Sequence, residues 1–224
     1  MILKGPDPQF PYLDETVRYC FPNPLKAEGN IVAVGGNLSP GILLSAYEQG
    51  IFPWYNEDDP VLWQSPDPRF VIFQHTLHVS RTMQKVLRRG DFEISFNRDF
   101  AGVIQGCAAS ERPGQGGTWI SGDIIAAYTE LHRLGYAVSA ESYKDGVLAG
   151  GCYGLLLGKV FCGESMFSMV PNASKAAFLT LAQFLFSEQN VQFIDCQVPT
   201  DHLRSFGGEE LPRERFLYLL KTYL

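Results

Sequence analysis

Prolines divide this chain into two unlike parts. Ten of the 14 prolines lie in the first 70 residues, where they interrupt helices and strand ladders because proline donates no amide N–H. One helix is predicted among them, with Ser39 as its N-cap, Pro40 in its first turn and Gly50 as its stop. Apolar strands and amphipathic helices follow from about residue 70. We therefore predict a small irregular N-terminal domain over residues 1–69 and a second domain over residues 70–224.

The second domain is predicted to mix strands with helices. The predicted helices cover residues 80–89, 97–109, 121–134, 173–187 and 212–223. The predicted strands cover residues 69–74, 92–96, 137–144, 147–156, 159–163 and 192–198. A turn at Asp145-Gly146 joins two of these strands into a hairpin. Hairpins with helices between them indicate an α+β sheet and disfavour a doubly wound parallel one.

Composition excludes several classes of protein. The chain is 46% hydrophobic and 19% charged, which is typical of a soluble globular protein. No apolar run approaches the ~20 residues of a membrane span, and prolines and acids break up the first residues, so we expect neither a membrane anchor nor a signal peptide. The five cysteines form no close pair, which argues against disulfides and against a zinc site. We expect a cytoplasmic protein that uses no metal and no cofactor.

A basic segment interrupts an otherwise acidic chain. The net charge is −6, yet residues 71–90 hold no Asp or Glu. Four cations recur at spacings that place them on one helix face, namely Arg81, Lys85, Arg88 and Arg89. Ser80 is the predicted N-cap of this helix and Gly90 its predicted stop. Such a face is either a solvated helix side or a surface for a phosphate-rich partner.

The stretch FIDCQV, residues 193–198, predicts a strand with two different faces. Alternation places Asp195 and Gln197 on one face of the strand. It places Cys196 on the other face, together with Ile194 and Val198. The second face is typical of a core. The first is either solvated or part of a site at the end of the strand, and composition alone does not decide between them.

Two tryptophans and one acid also stand out. Trp54 follows a helix stop and Trp119 follows a glycine-rich loop, so each is either a core residue or a platform for stacking bases. Glu164 lies among small and apolar residues, and a carboxylate in such a place is paired or functional if it is buried. The alternative is a strand that ends at Gly163, with Glu164 in water.

A cysteine nucleophile is a weaker hypothesis. Cys162 or Cys196 could pair with His202 as nucleophile and base. Cys196, however, is predicted to be a small core residue, and no serine-hydrolase motif GxSxG occurs in the chain.

Seven ordered blocks resemble one known family. They read GGNLSPGILLSAYEQGIFPWY, WQSPDPR, LHVSRTM, GTWIS, FCGESMFS, NASK and IDCQV with DHLRSFGGEELPR, and they run from about residue 30 to residue 215. The chain resembles the leucyl/phenylalanyl-tRNA–protein transferases of bacteria. It departs from the usual residues of that family at Gln64, Tyr143 and Cys152, the last of which would alter the shape of the amino-acid pocket. The resemblance implies an α+β protein with a small N-terminal domain and a GNAT-like acetyltransferase fold.

The resemblance also implies an activity and its substrates. The family transfers Leu or Phe, with Met as a further candidate, from aminoacyl-tRNA to the N-terminal Arg or Lys of a protein. The modified protein is thereby marked for degradation by the N-end rule pathway. The resemblance implies no cofactor and no metal, and we expect a monomer.

The resemblance assigns roles to individual residues as well. The positions of an apolar pocket for the aminoacyl side chain are Cys152, Phe161, Met166, Phe178 and Leu185. The tRNA contacts are Trp54 and Trp119 on the terminal adenosine, and Arg81, Lys85, Arg88 and Arg89 on the backbone. The catalytic positions are Asp195 as proton acceptor or anchor, Gln197 as its relay or as the group that orients the amine, and Glu164 for the cationic acceptor residue or the terminal ribose.

Two other functions remain as alternatives. The first is a GNAT-like N-acyltransferase that uses acyl-coenzyme A, although the pyrophosphate loop Q/R-x-x-G-x-G/A is missing. The second is a tRNA-binding module without catalysis, which would explain the basic helix but leave Asp195 and Gln197 without a role.

Overall fold

The N-terminal part of the chain forms a small sheet beside one helix. The computed structural model describes residues 10–56, 58–110 and 118–224. Its first sheet has three antiparallel strands in the order β1-β3-β2. These strands are β1 (Ile31–Val34), β2 (Phe52–Pro53) and β3 (Leu62–Gln64). Helix α1 (Pro40–Glu48) begins after Ser39, as predicted, and the chain leaves it through Gly50 at φ 75°.

A sheet of seven strands forms the centre of the molecule. Its order is β10-β4-β9-β8-β7-β6-β5. Its members are β4 (Arg69–Phe73), β5 (Glu93–Phe96), β6 (Ala137–Lys144), β7 (Val147–Leu157), β8 (Val160–Ser168), β9 (Phe193–Gln197) and β10 (Glu209–Leu211). All neighbours are antiparallel except β8 and β9, which run parallel. The predicted α+β class is therefore confirmed.

Helices cover both faces of this sheet. They are α2 (Arg81–Arg89), α3 (Phe100–Ala109), α4 (Gly122–Arg133), α5 (Ala173–Ser187), α6 (Asp201–Ser205) and α7 (Arg213–Tyr223). Five of these six were predicted within a few residues. The largest shift is at α3, which begins three residues late because Asn97 adopts φ 55° and Asp99 caps the helix through the Gly102 amide. The five-residue α6 and the strands β1, β2, β3 and β10 were not predicted.

Two hydrophobic clusters pack on opposite faces of the sheet. On one face, Phe193 packs with residues of α3, α4 and α7 and with the N-terminal part, including Trp63. On the other face, Ile194 packs with residues of α2 and α5. The predicted boundary between residues 69 and 70 falls one residue inside β4, and the core of the first part is continuous with one face of the large sheet. The division into two domains stays a prediction.

No helix in the described part of the chain is long and apolar enough to cross a membrane. Within those same residues, no group of three or more His, Cys, Asp or Glu side chains is placed to hold a metal ion.

Candidate active site

The large sheet opens between its two parallel strands. β8 and β9 pair at only three positions, the last of which is Cys162 beside Asp195. Beyond that point β8 continues to Ser168 along β7, whereas β9 ends at Gln197 with φ 58°. A left-handed backbone at a residue other than glycine is uncommon and turns the chain away from its neighbour. The strands therefore diverge, and a cleft of about 740 Å³ lies between them.

A β-bulge aims one acidic side chain into this cleft. Tyr153 of β7 pairs with Ser165 and the next residue, Gly154, pairs with Gly163, so that Glu164 is the extra residue of the bulge. A side chain at position 154 would meet the carbonyl oxygen of Cys162 at 2.2 Å, and the close approach of the two strands therefore requires glycine there. The predicted strand end at Gly163 is wrong, because the bulge lets β8 pass through that position.

Glu164 lies in a polar cluster that is enclosed by aromatic residues. Tyr128 donates a hydrogen bond of 3.4 Å to Glu164 Oε2, and the hydroxyls of Tyr128 and Tyr47 are hydrogen-bonded to each other. Glu164 Oε1 is buried and has no hydrogen-bond partner among the described residues. Burial raises the pKa of Glu164 to about 8, although the tyrosine hydroxyls act to lower it. The carboxyl is thus largely neutral at pH 7 and has one free oxygen for a ligand.

Four of the five predicted pocket residues line the cleft. They are Cys152, Phe161, Met166 and Phe178. The fifth prediction, Leu185, is wrong in its placement, because that side chain lies about two turns beyond Phe178 on α5 and is buried in the core. The short helix α6 contributes Leu203 and His202 to the wall, and these two residues were not predicted as pocket residues.

His202 supports the pocket wall through weak contacts. Its Nε2 lies 3.2 Å from Met166 Sδ, and its ring packs edge-on against Phe206 at 4.7 Å between centroids. Burial lowers the pKa of His202, which favours the neutral imidazole. Burial also raises the pKa of the Cys162 and Cys196 thiols well above the ordinary value, so the thiolate that a cysteine nucleophile requires is disfavoured.

Both predicted stacking residues lie at the cleft. Trp54 and Trp119 line it and are half-buried. Trp54 follows β2, where its carbonyl accepts a hydrogen bond of 2.7 Å from Gln64, one of the positions that departs from the family pattern. Most of the glycine-rich loop that precedes Trp119, residues 111–117, lies outside the described residues.

Asp195 and Gln197 do not share a face of the cleft. Gln197 and Cys196 line the cleft, whereas Asp195 is fully buried and is not among the residues that line it. Both carboxylate oxygens of Asp195 are occupied by Arg69, through Nε to Oδ1 at 2.8 Å and Nη2 to Oδ2 at 2.7 Å. The predicted common face is wrong, because the left-handed turn at Gln197 breaks the alternation of the strand. The two residues are instead joined by a hydrogen bond of 3.0 Å from the backbone N–H of Gln197 to Asp195 Oδ1.

The basic helix α2 has the predicted caps and orientation. The Ser80 hydroxyl accepts from the Met83 amide, and Gly90 ends the helix at φ 67°. Met83 and Val86 are buried, and the four cations Arg81, Lys85, Arg88 and Arg89 are exposed. None of these four forms an ion pair within the described residues. Their charges are therefore available to a partner.

Sequence comparisons with known proteins identify one family. The sequence model of the family described as "Leucyl/phenylalanyl-tRNA protein transferase" matches residues 71–221, and that of its N-terminal domain matches residues 36–67. A leucyl/phenylalanyl-tRNA–protein transferase of Myxococcus xanthus is 51% identical over 89% of this chain and 86% of its own length. The enzyme of Flavobacterium johnsoniae is 50% identical over 87% of this chain and 92% of its own length.

Solved structures show a weaker likeness. A GCN5-related N-acetyltransferase from Kribbella flavida aligns with 78% of this chain and 61% of its own, at a TM-score of 0.40 and 10% identity. Nothing about activity follows from a likeness of that size. The family matches and the relatives near 50% identity are sufficient by themselves: this chain belongs to the leucyl/phenylalanyl-tRNA–protein transferase family.

Proposed function

We propose that this protein transfers Leu or Phe, with Met as a further candidate donor, from aminoacyl-tRNA to the N-terminal Arg or Lys of acceptor proteins. One observation supports this most strongly: in a member of this family, an apolar pocket, two tryptophans and a half-buried acid meet in one cleft where the sheet opens. The reaction forms an amide C–N bond, breaks the ester bond to the terminal ribose and releases its hydroxyl. Since an ester is converted to an amide, no external energy source is required.

The donor fits the apolar side of the cleft. Phe161, Phe178 and Met166 surround a space in which either a branched aliphatic or an aromatic side chain can pack, since planar rings and an unbranched thioether adapt to both. The indoles of Trp54 and Trp119 would stack on the terminal adenosine, because every base offers a π-face to an aromatic platform.

The tRNA backbone fits the basic helix. The exposed cations of α2 lie in a stretch, residues 71–90, that holds no Asp or Glu, inside a chain whose net charge is −6. Phosphate contacts of this kind position a nucleic acid without reading its sequence. The helix would therefore contribute affinity for tRNA in general and little choice between amino acids.

The acceptor fits the polar side of the cleft. A cation that approaches Glu164 Oε1 would bind an oxygen that has no other hydrogen-bond partner among the described residues, and its charge would favour the ionised carboxylate. The acceptor amine must be neutral to attack, and its ordinary pKa of ~7.7–8 makes the loss of its proton easy near neutral pH. Gln197 lines the cleft and would orient this amine, and Asp195, which is fully buried, would act by holding Gln197.

A transfer assay with matched donors tests this function. The purified chain is incubated with radiolabelled Leu-tRNA, Phe-tRNA or acetyl-coenzyme A and with a peptide that begins with Arg. The same peptide with an acetylated N-terminus is the control. We expect label from Leu-tRNA and Phe-tRNA on the free peptide alone. Label from acetyl-coenzyme A would favour the acyltransferase alternative, and tRNA binding without any transfer would favour the binding module.

The cellular setting follows from the same substrates. We propose that the protein acts in the cytoplasm, where charged tRNA is available, and that its products enter the N-end rule pathway of degradation. We also propose that it acts as a monomer. Light scattering behind size exclusion should give one chain of 25.0 kDa per particle, and a mass of two chains would contradict this.

A further inference from the structure

Arg69 is a buried cation that the proposed chemistry does not use directly. It is the first residue of β4, and 1% of its surface is exposed. The rings of Phe52 and Phe216 contact its guanidinium, with centroids 4.8 and 4.5 Å from Cζ. Burial lowers the pKa of Arg69, but the charge and hydrogen bonds of Asp195 outweigh this effect, so the pKa is raised and the ion pair persists.

The donors of Arg69 bind two segments of the chain that continue into the cleft lining. Nε and Nη2 bind the carboxylate of Asp195, which belongs to β9. Nη1 donates to the carbonyl of Gly50 at 3.2 Å. Gly50 lies just before β2 and only four residues before Trp54, which lines the cleft.

The contact with Asp195 extends to the cleft surface. Asp195 Oδ1 accepts both from Arg69 Nε and from the backbone amide of Gln197. That second bond stabilises the left-handed turn that brings Gln197 into the cleft. The ring of Phe52, which packs on the guanidinium, itself lines the cleft beside Trp54.

Stability alone does not account for such a pair. A buried ion pair is often no more stabilising than apolar residues of similar volume, because both charges lose their hydration. A planar guanidinium offers something that apolar residues cannot, namely several donors in a fixed geometry. Here that geometry joins a carboxylate on one segment to a carbonyl on another.

We propose that Arg69 is a positioning residue: it fixes the segment that carries Trp54 relative to the segment that carries Gln197. It touches no substrate and acts through Asp195 and Gly50. This inference rests on the proposed transfer function. It predicts that loss of the bidentate geometry misplaces the donor ester relative to the group that orients the amine.

Arg69→Lys is the first test, because it keeps the positive charge and removes the planar guanidinium with its several N–H donors. We expect kcat/KM for transfer to fall about 10–100-fold, since displacements near 1 Å at a reacting centre have effects of that size. Arg213→Lys is the matched control. Arg213 is also buried, and its Nη1 donates to the carbonyls of Pro24, Gly29 and Ser65, outside the cleft. It should lower Tm and leave kcat/KM within about threefold of wild type.

A double-mutant cycle separates positioning from general loss of structure. If Arg69 acts through Gln197, the loss of kcat/KM caused by Arg69→Lys should be at least about fivefold smaller in a Gln197→Ala background than in wild type. Independent effects that multiply would overturn the proposal. So would wild-type kcat/KM in a folded Arg69→Lys protein.

A second variant covers the case in which Arg69→Lys does not fold. Arg69→Met combined with Asp195→Leu replaces both charged side chains with apolar ones, a change that buried ion pairs often tolerate. We expect this protein to fold and to lose transfer about as much as Arg69→Lys. Full activity in it, or failure to fold in both variants, would assign the pair to stability and overturn the proposal. Absence of transfer by the wild type would refute the proposed function instead.

Discussion

Replacement of Glu164 by Gln should remove the pH dependence of acceptor binding. The free carboxyl has its pKa raised to about 8 by burial, so roughly 1% of it is ionised at pH 6 and about half at pH 8. If a cationic acceptor binds the ionised form, its affinity should rise ~50-fold between those two pH values and change little above pH 9. The sign follows from the direction of the shift, because the raised pKa makes the anion scarce at low pH.

The assay requires an acceptor that binds but cannot react. A peptide whose first residue is arginine without its α-amine keeps the guanidinium, which stays charged over this range. Its Ki against transfer should fall as pH rises in the wild type. In Glu164→Gln, Ki should be flat with pH and about 10–100-fold higher than wild type at pH 8.5, the size of a lost hydrogen bond to a charged group.

Two controls identify the titrating group. Tyr128 donates to Glu164, and that hydrogen bond lowers the pKa, so Tyr128→Phe should move the midpoint of the Ki profile to higher pH. Asp201→Asn removes one exposed carboxylate from the cleft wall and should leave the midpoint in place. If the wild-type Ki does not vary with pH while Glu164→Gln raises KM for the donor, Glu164 binds the ribose and the reasoning is refuted.

Three further changes test the donor side and the buried pair. Lys85→Glu with Arg88→Glu should weaken binding of every aminoacyl-tRNA alike and lower the salt slope by about 2, and unchanged affinity at low salt would exclude the helix. Cys152→Met should change the Leu/Phe ratio of kcat/KM by about 5–150-fold, whereas a lower activity with the same ratio would make Cys152 structural. Asp195→Asn should lower kcat and Tm together while tRNA affinity persists, and recovery of the rate at high pH would instead indicate that Asp195 is the base.

The elements with local signals could be predicted from the sequence. Helix α2 carries its own N-cap at Ser80, its stop at Gly90 and a sharp division between cations and apolar residues. The hairpin turn at Asp145-Gly146 is likewise encoded by two adjacent residues with positive φ. The short strands β1 to β3 have no such signal, because two to four residues are too few to show a period of two.

The sequence predicted several residues of the site but not the contacts between them. Sequence blocks identified Trp54, Trp119 and Glu164, and all three line the cleft. The partner of Asp195 could not be found in this way, since Arg69 is 126 residues away and neither residue's neighbours show the pairing. The pairing exists because β4 and β9 are adjacent strands, which is a property of the assembled sheet.

A single-turnover measurement tests most directly whether the cleft between β8 and β9 is the site of transfer. Met166→Trp places a large ring at a half-buried position of the cleft wall, far from the basic helix in sequence. With enzyme in excess over Leu-tRNA and with a saturating Arg-starting peptide, the wild type should transfer the leucine in one turnover. The folded variant should bind tRNA with wild-type affinity and transfer leucine at least ~10-fold more slowly, the cost of a substrate group displaced from its pocket. Transfer of leucine by the variant at the wild-type rate would contradict the account.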